Sequence, residues 1–200
     1  MVTGRPAITD KEEFGELLRR LDCHTGWPVI PGTMKFQILT CTRPGEVRGA
    51  KNQEFDLQNR VWTVPAERMK MRREHKVPLS RQAFDIVLAN RLEIGPIELI
   101  CSLLVSTRKW LSENAFNTVL RRLGYSGEEV SAHGFRVTAS TNLNSCEYNP
   151  DIIEAVLAHQ YKNAIRRTNN RSTYREQRVQ LMQDWAEIWD EFRCKDPGLK

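Results

Sequence analysis

Val61-Trp62-Thr63-Val64 and Lys76-Val77-Pro78-Leu79 bracket the basic stretch that runs from Pro65 through Arg68, Lys70, Arg72 and Arg73 to His75. The flanks carry β-branched and aromatic residues, whereas the connection is polar and positively charged. The reading is a small antiparallel sheet that presents Lys70 near a turn. In a chain whose other segments read as helices, that sheet sets the fold class: mainly α with a small antiparallel β-sheet (α+β).

Upstream, Thr9 or Asp10 can cap a helix running to about Leu21, with Phe14, Leu17, Leu18 and Leu21 on one stripe. Cys23 to Pro31 reads as a loop and Met34 to Thr40 as a second helix. A third helix begins at Pro44, whose fixed φ suits the first helical position and puts Arg43 at the cap. Free backbone N–H groups and the positive end of the helix dipole favour an anion there.

Downstream, Ser80 caps a helix to about Leu92, and Ser112 caps one that ends at Gly124. The stretch from Gly95 to Trp110 has no clear period and stays unassigned. Another helix spans about Ala132 to Asn144. Asn149-Pro150 starts one with Ile152, Ile153, Val156 and Leu157 inward, ending near His159. The last, roughly Thr173 to Phe192, carries Met182, Trp185, Trp189 and Phe192 on one stripe.

The 200 residues, 40% of them hydrophobic, suit one domain over 1–200 with a full core, and no apolar run approaches a membrane-spanning length. The first ten residues lack a signal pattern, and the five cysteines are odd in number without close pairs. A reducing cytosol, no structural metal and no membrane are expected. The net charge of +5 and pI near 9.1 favour a polyanion but do not identify one. Arg68, Lys70, Arg72, Arg73 and Lys76 form one basic cluster, and Arg166, Arg167, Arg171 and Arg175 another. Each reads equally as a solvated face.

His133-Gly134-Phe135-Arg136 places an imidazole and a guanidinium three residues apart, where one helix face lets both converge on a single oxyanion. With Arg43 and Lys70 the pattern reads as phosphate chemistry on DNA. A lone His-x-x-Arg is an ordinary helix surface.

Taken in order, Arg43-Pro44-Gly45-Glu46-Val47-Arg48-Gly49-Ala50, Pro65-Ala66-Glu67-Arg68-Met69-Lys70-Met71-Arg72, Val77-Pro78-Leu79-Ser80, His133-Gly134-Phe135-Arg136 and Leu157-Ala158-His159 resemble the catalytic domain of tyrosine recombinases, specifically phage and genomic-island integrases. The likeness covers nearly the whole chain. It implies that Arg43 and Arg136 bind the nonbridging oxygens of a scissile phosphate and stabilise a pentacoordinate transition state without a metal. Lys70 resembles the hairpin lysine that protonates the departing 5′ oxygen. His133 resembles the histidine that assists proton transfer at the nucleophile, and His159 the second histidine, which hydrogen-bonds the phosphate. Glu46 resembles an acidic residue that orients these groups, although an early-turn glutamate favoured by the helix dipole reads equally well. Arg68, Arg72, Arg73, Lys76, Arg166, Arg167 and Arg171 are the expected DNA contacts.

The resemblance breaks at the nucleophile. The family places a tyrosine about ten residues beyond the second histidine, and here that place holds Asn169, whose carboxamide cannot attack phosphorus. Tyr174 lies five residues further on, too far round and along a helix for in-line attack without remodelling. The chain also starts where a catalytic domain would, without core-binding and arm-binding domains, and Asn52 stands where the family often has tryptophan.

The implied reaction is site-specific integration of DNA through a phosphotyrosine, on double-stranded attachment-site DNA, without a cofactor. Self-association on DNA and a cytoplasmic, nucleoid-associated setting in a bacterial or phage system are expected. The alternative is a noncatalytic DNA-binding or oligomerisation remnant, motivated by the apolar stripe of the last helix. A helix-turn-helix regulator gives no reason for Arg43, Lys70, His133, Arg136 and His159 to occur in family order. The folded chain should gather those five side chains around one basic hollow with Asn169 near its rim, and a guanidinium locked in an internal ion pair would oppose the reading.

Overall fold

The computed structural model describes residues 5–25, 29–94, 111–158 and 174–194. The described residues contain α1 (Lys11–Asp22), α2 (Val29–Thr40), α3 (Pro44–Arg48), β1 (Phe55–Asp56), β2 (Val61–Val64), β3 (His75–Pro78), α4 (Arg81–Ile94), α5 (Ala115–Arg122), α6 (Gly134–Ser145), α7 (Pro150–Val156) and α8 (Arg175–Cys194). Single 3-10 turns at Asn52–Glu54 and Ala66–Arg68 precede β1 and follow β2. A mainly helical chain with a three-stranded antiparallel sheet of order β1-β2-β3 is the fold class expected.

The hairpin forms where the alternation of residues requires it. β2 pairs with β3 in the register Val61↔Pro78, Trp62↔Val77, Thr63↔Lys76 and Val64↔His75. Trp62 and Val77 point into the core, so a slip of one residue would expose both. The two-residue β1 adds Phe55 opposite Trp62, and the rings stack at 5.5 Å. Phe36 of α2 packs its ring 5.4 Å from Trp62, which fastens the sheet to the helical layer.

Helix α2 is the central post. Its opening residues Val29 to Pro31 belong to the stretch expected as loop, Cys23 to Pro31. In the structure Pro31 lies in the first turn, where its missing N–H has no helical partner to lose. Val29, Pro31, Met34, Phe36, Ile38 and Leu39 are all buried, so the helix is apolar all round and shows no stripe. It is contacted by α3, α4, α5, α6 and α8.

Asp10 caps α1 through Glu12 and Glu13, Asn149 caps α7 through Asp151, and Ser80 Oγ receives the Ala83 N–H at the start of α4. Helix α5 departs from expectation: it starts after Asn114, and Ser112 contributes its carbonyl rather than its hydroxyl. Gly124, with φ +95°, turns the chain out of that helix as glycine allows. Asn52 accepts a hydrogen bond from Arg91 Nε on α4 at 2.7 Å. The segment from Gly95 to Trp110, unassigned in sequence, lies outside the described residues.

The last helix packs on its own chain. Met182, Trp185, Trp189 and Phe192 are buried against α1, α2, α4, α7 and β3, and Trp185 Nε1 donates to the Ile38 carbonyl at 3.0 Å. Fully burying each such side chain contributes about 1.5–3 kcal/mol. The stripe that motivated an oligomerisation role therefore packs within this chain, most extensively against α1. Among the described residues no helix is long and apolar enough to cross a membrane.

Candidate active site

Arg43 caps α3 with extended backbone (φ −77°, ψ 147°), ahead of Pro44, as the sequence predicts. Glu46, 3% exposed, reaches back: Oε2 accepts the Arg43 backbone N–H at 2.9 Å and Oε1 pairs with Arg43 Nη1 at 2.8 Å. This is an internal ion pair of the kind expected to oppose the phosphate reading, and at the same time it orients the guanidinium. It occupies one terminal nitrogen while the side chain stays on the wall of a cavity of about 480 Å³.

That cavity is lined by Arg43, Lys70 and His133, with Arg48, Arg68 and Asn117 among the surrounding side chains. The three expected groups come from three elements: the cap of α3, the β2–β3 connection and the cap of α6. Lys70, exposed in its turn, has the reach of an unfixed side chain. Arg72, with φ +48°, and Arg73 are exposed beyond it, and Lys76 pairs with Glu74 across 3.7 Å.

His133 is the residue before α6 rather than part of it, so the expected shared helix face is corrected. Partial burial holds its imidazole below the ordinary value, and nearby Arg5, Arg136, Arg43 and Arg48 add to the effect. A neutral ring can accept a proton. Gly134 follows because nothing larger fits: a Cβ there would sit 2.1 Å from the Pro6 carbonyl oxygen. The same carbonyl accepts the Ser131 N–H at 3.1 Å, and Thr138 Oγ1 donates to Ile8 O at 2.6 Å, so the segment before α1 straps α6 in place.

Arg136 does not line the cavity. Its Nη1 donates to the Cys41 carbonyl and its Nη2 to the Leu157 carbonyl, joining the end of α2 to the end of α7. Cys41 presents that oxygen by adopting φ +54°, and burial pushes its thiol up to about 12. Burial, with Arg43 the next cause, lowers Arg136 to about 10, which leaves it cationic at neutral pH. Each terminal nitrogen carries two N–H groups, so one on each is not consumed by these two bonds.

Arg68, expected among the DNA contacts, is turned inward. Its Nη1 donates to the Glu46 carbonyl at 2.9 Å and its Nη2 pairs with Glu54, whose Oε2 also accepts Trp62 Nε1. It braces the Arg43 helix against the sheet. His159, Asn169, Arg166, Arg167 and Arg171 lie outside the described residues. Tyr174 packs half-buried against the core just before α8.

His75 was missed by sequence reasoning. It sits buried on β3, bonded to the Val156 backbone, and its pKa is lowered to about 3 by burial and by Arg178, Arg136 and Arg43. Nothing in the sequence marked it, because its inward register opposite Val64 exists only in the folded sheet. Among the described residues no group of three or more His, Cys, Asp or Glu side chains could hold a metal ion.

Residues 16–175 match the model of the Phage integrase family. The chain is 43% identical over 153 residues to Prophage integrase IntA of Escherichia coli K12, covering 76% of this chain and 37% of that relative. It is 36% identical over 207 residues to the Integrase of Enterobacteria phage P4, covering 95% of this chain and 46% of the relative. The chain thus spans less than half the length of both. A lambda integrase dimer bound to a COC′ core site superposes with a TM-score of 0.60 at 16% identity, covering 100% of this chain and 63% of that one. The Tn1549 transposon Integrase in complex with circular intermediate DNA gives 0.61 at 15% identity, covering 90% and 66%. With the family pattern matched over most of its length, the chain belongs to the phage integrase family of tyrosine recombinases.

Proposed function

We propose that this chain is the catalytic domain of a site-specific DNA recombinase in which the phosphate-activating groups remain and the nucleophile is missing. The observation that carries the reading is the meeting of Arg43, Lys70 and His133, from three separate elements, on one cavity. The lambda integrase dimer on its core site supports duplex DNA as partner and self-association upon it. The setting that fits is a bacterial cytoplasm, at the nucleoid, and the reaction needs no cofactor.

In an intact domain a tyrosine oxygen bonds to phosphorus while the bond to the 5′ oxygen breaks, and a 5′ hydroxyl later reverses the exchange on a partner strand. Arg43 stabilises the charge that builds on the nonbridging oxygens, and the Arg136 cation behind it adds its field, its spare N–H groups reaching the phosphate only if the cavity wall shifts. Neutral His133 accepts the nucleophile's proton, and Lys70 delivers one to the departing oxygen. His159 adds a hydrogen bond to the phosphate. Arg72, Arg73, Lys76, Arg166, Arg167 and Arg171 follow the backbone. Asn169 cannot open this sequence, so the chain binds the phosphodiester without cutting it.

A duplex nicked beside the cleavage site tests the reading. No covalent protein–DNA product is expected from this chain, and Asn169→Tyr restores one that survives Tyr174→Phe. Product formed by the unaltered chain and lost on Tyr174→Phe would instead identify a relocated nucleophile. The second reading, a noncatalytic DNA-binding form, is favoured by Asn169 itself, and an Asn169→Tyr variant that binds DNA but never cleaves would establish it.

A further inference from the structure

The loop that delivers His133 is gripped from two sides at the residue before it. Asn117 Oδ1, from α5, accepts the Ala132 N–H at 3.0 Å. Gln37 Nε2, from α2, donates to the Ala132 carbonyl at 2.6 Å. These bonds fix two successive peptide planes, and with them the direction in which the chain enters His133.

Gln37 is an odd choice for a merely packed position. It is 1% exposed in the apolar middle of α2, and among the described residues its Oε1 is buried without a hydrogen-bond partner. A buried acceptor left unpaired opposes folding, so an apolar side chain of the same shape would avoid that cost. What glutamine adds there is the donor to Ala132. Asn117 spends its oxygen on the same residue while its side chain lines the cavity.

We infer that Gln37 and Asn117 are positioning residues for His133, holding the Ala132 backbone so that the imidazole meets the cavity at a set place beside Arg43. The inference rests on the reading of His133 as the proton acceptor, but its physical content can be tested without DNA. Neither residue touches the reacting phosphate through these bonds, so both act through the histidine. Every group that lowers the His133 pKa belongs to its surroundings: partial burial, Arg5, Arg136, Arg43 and Arg48. A loosened loop moves the ring away from them.

The test is a proton NMR titration of the His133 ring in the full chain, comparing the parent with Gln37→Met and with Asn117→Leu. Gln37→Met keeps the shape and removes the unpaired oxygen, so it keeps the test alive should Asn117→Leu not fold. The expected result is a His133 midpoint raised by about half a pH unit or more in the folded variants, with His75 unchanged. A His133 midpoint identical to the parent's in folded Gln37→Met overturns the inference. In the Asn169→Tyr background, Gln37→Met should slow single-turnover cleavage of the nicked duplex by about tenfold at saturating protein, with DNA affinity unchanged. Absence of any cleavage by Asn169→Tyr defeats the recombinase reading alone, because the titration still decides the clamp.

Discussion

The two walls of the cavity are built in opposite ways. On one side Arg43, His133 and, behind them, Arg136 are tied into the core by Glu46, the Ala132 clamp, the strap at Pro6 and the carbonyls of Cys41 and Leu157. On the other side Lys70, Arg72 and Arg73 stand exposed on the connection between β2 and β3, beyond its anchors at Arg68 and the buried Met69. Groups that must meet a charge at one place are braced, because preorganisation removes the reorganisation cost at the moment of reaction. The proposed leaving-group acid, Lys70, stands by contrast on a long, exposed stem.

The comparison is broken most directly at Arg136. Arg136→Leu should destabilise the chain by about 3 kcal/mol, since it strands two carbonyls of nearly buried residues, and a shift of the urea midpoint at constant slope would show it. A loss below about 0.5 kcal/mol would mean that the braced wall is not braced there. Gly134→Ala comes next, at about 2 kcal/mol, because its Cβ would displace the Pro6 carbonyl. The same denaturation series should show it.

Acid sharpens the contrast. His75 is held neutral in the fold with a pKa near 3 against an ordinary 6.5, so the unfolded chain binds the extra proton first. The stability that neutral His75 contributes is complete above about pH 6.5 and is lost as pH falls towards 3. His75→Gln keeps a donor for Val156 and cannot titrate, so its stability should fall less over that window. Identical acid profiles for the two proteins would remove His75 as the cause.

The exposed wall should respond in binding rather than in folding. Arg73→Gln should reduce the slope of log affinity against log salt by about one, measured on any duplex. Smallest of all, Lys70→Ala should move stability by less than about 0.5 kcal/mol, while removing most cleavage in the Asn169→Tyr background. A large stability loss would place Lys70 on the braced side.

What could be read from residues alone was whatever had a local cause. Pro44 marked the start of α3, the alternation around Trp62 and Val77 marked the hairpin, and Asp10, Ser80 and Asn149 marked helix starts. The first turns of α2 were hidden because a helix buried on every side has no stripe. Arg68 looked like its solvated neighbours, since nothing local tells that Glu54 and the Glu46 carbonyl will meet it. Arg136 was found by motif, yet its two carbonyl partners lie 95 and 21 residues away. Gln37 and His75 had no signal beyond burial, which only the assembled fold creates.

Gly15 faces the Phe192 carbonyl so closely that a Cβ would lie 2.3 Å from it, and Arg193 pairs with Asp22 at 3.1 Å. Helix α1 therefore waits for α8, far along the chain from it, before it can bury its apolar stripe. Long-range closure of this kind slows folding and keeps greasy surface open during synthesis. The pocket, whose histidine helix is lashed to the segment just before α1, is completed only once α8 has docked.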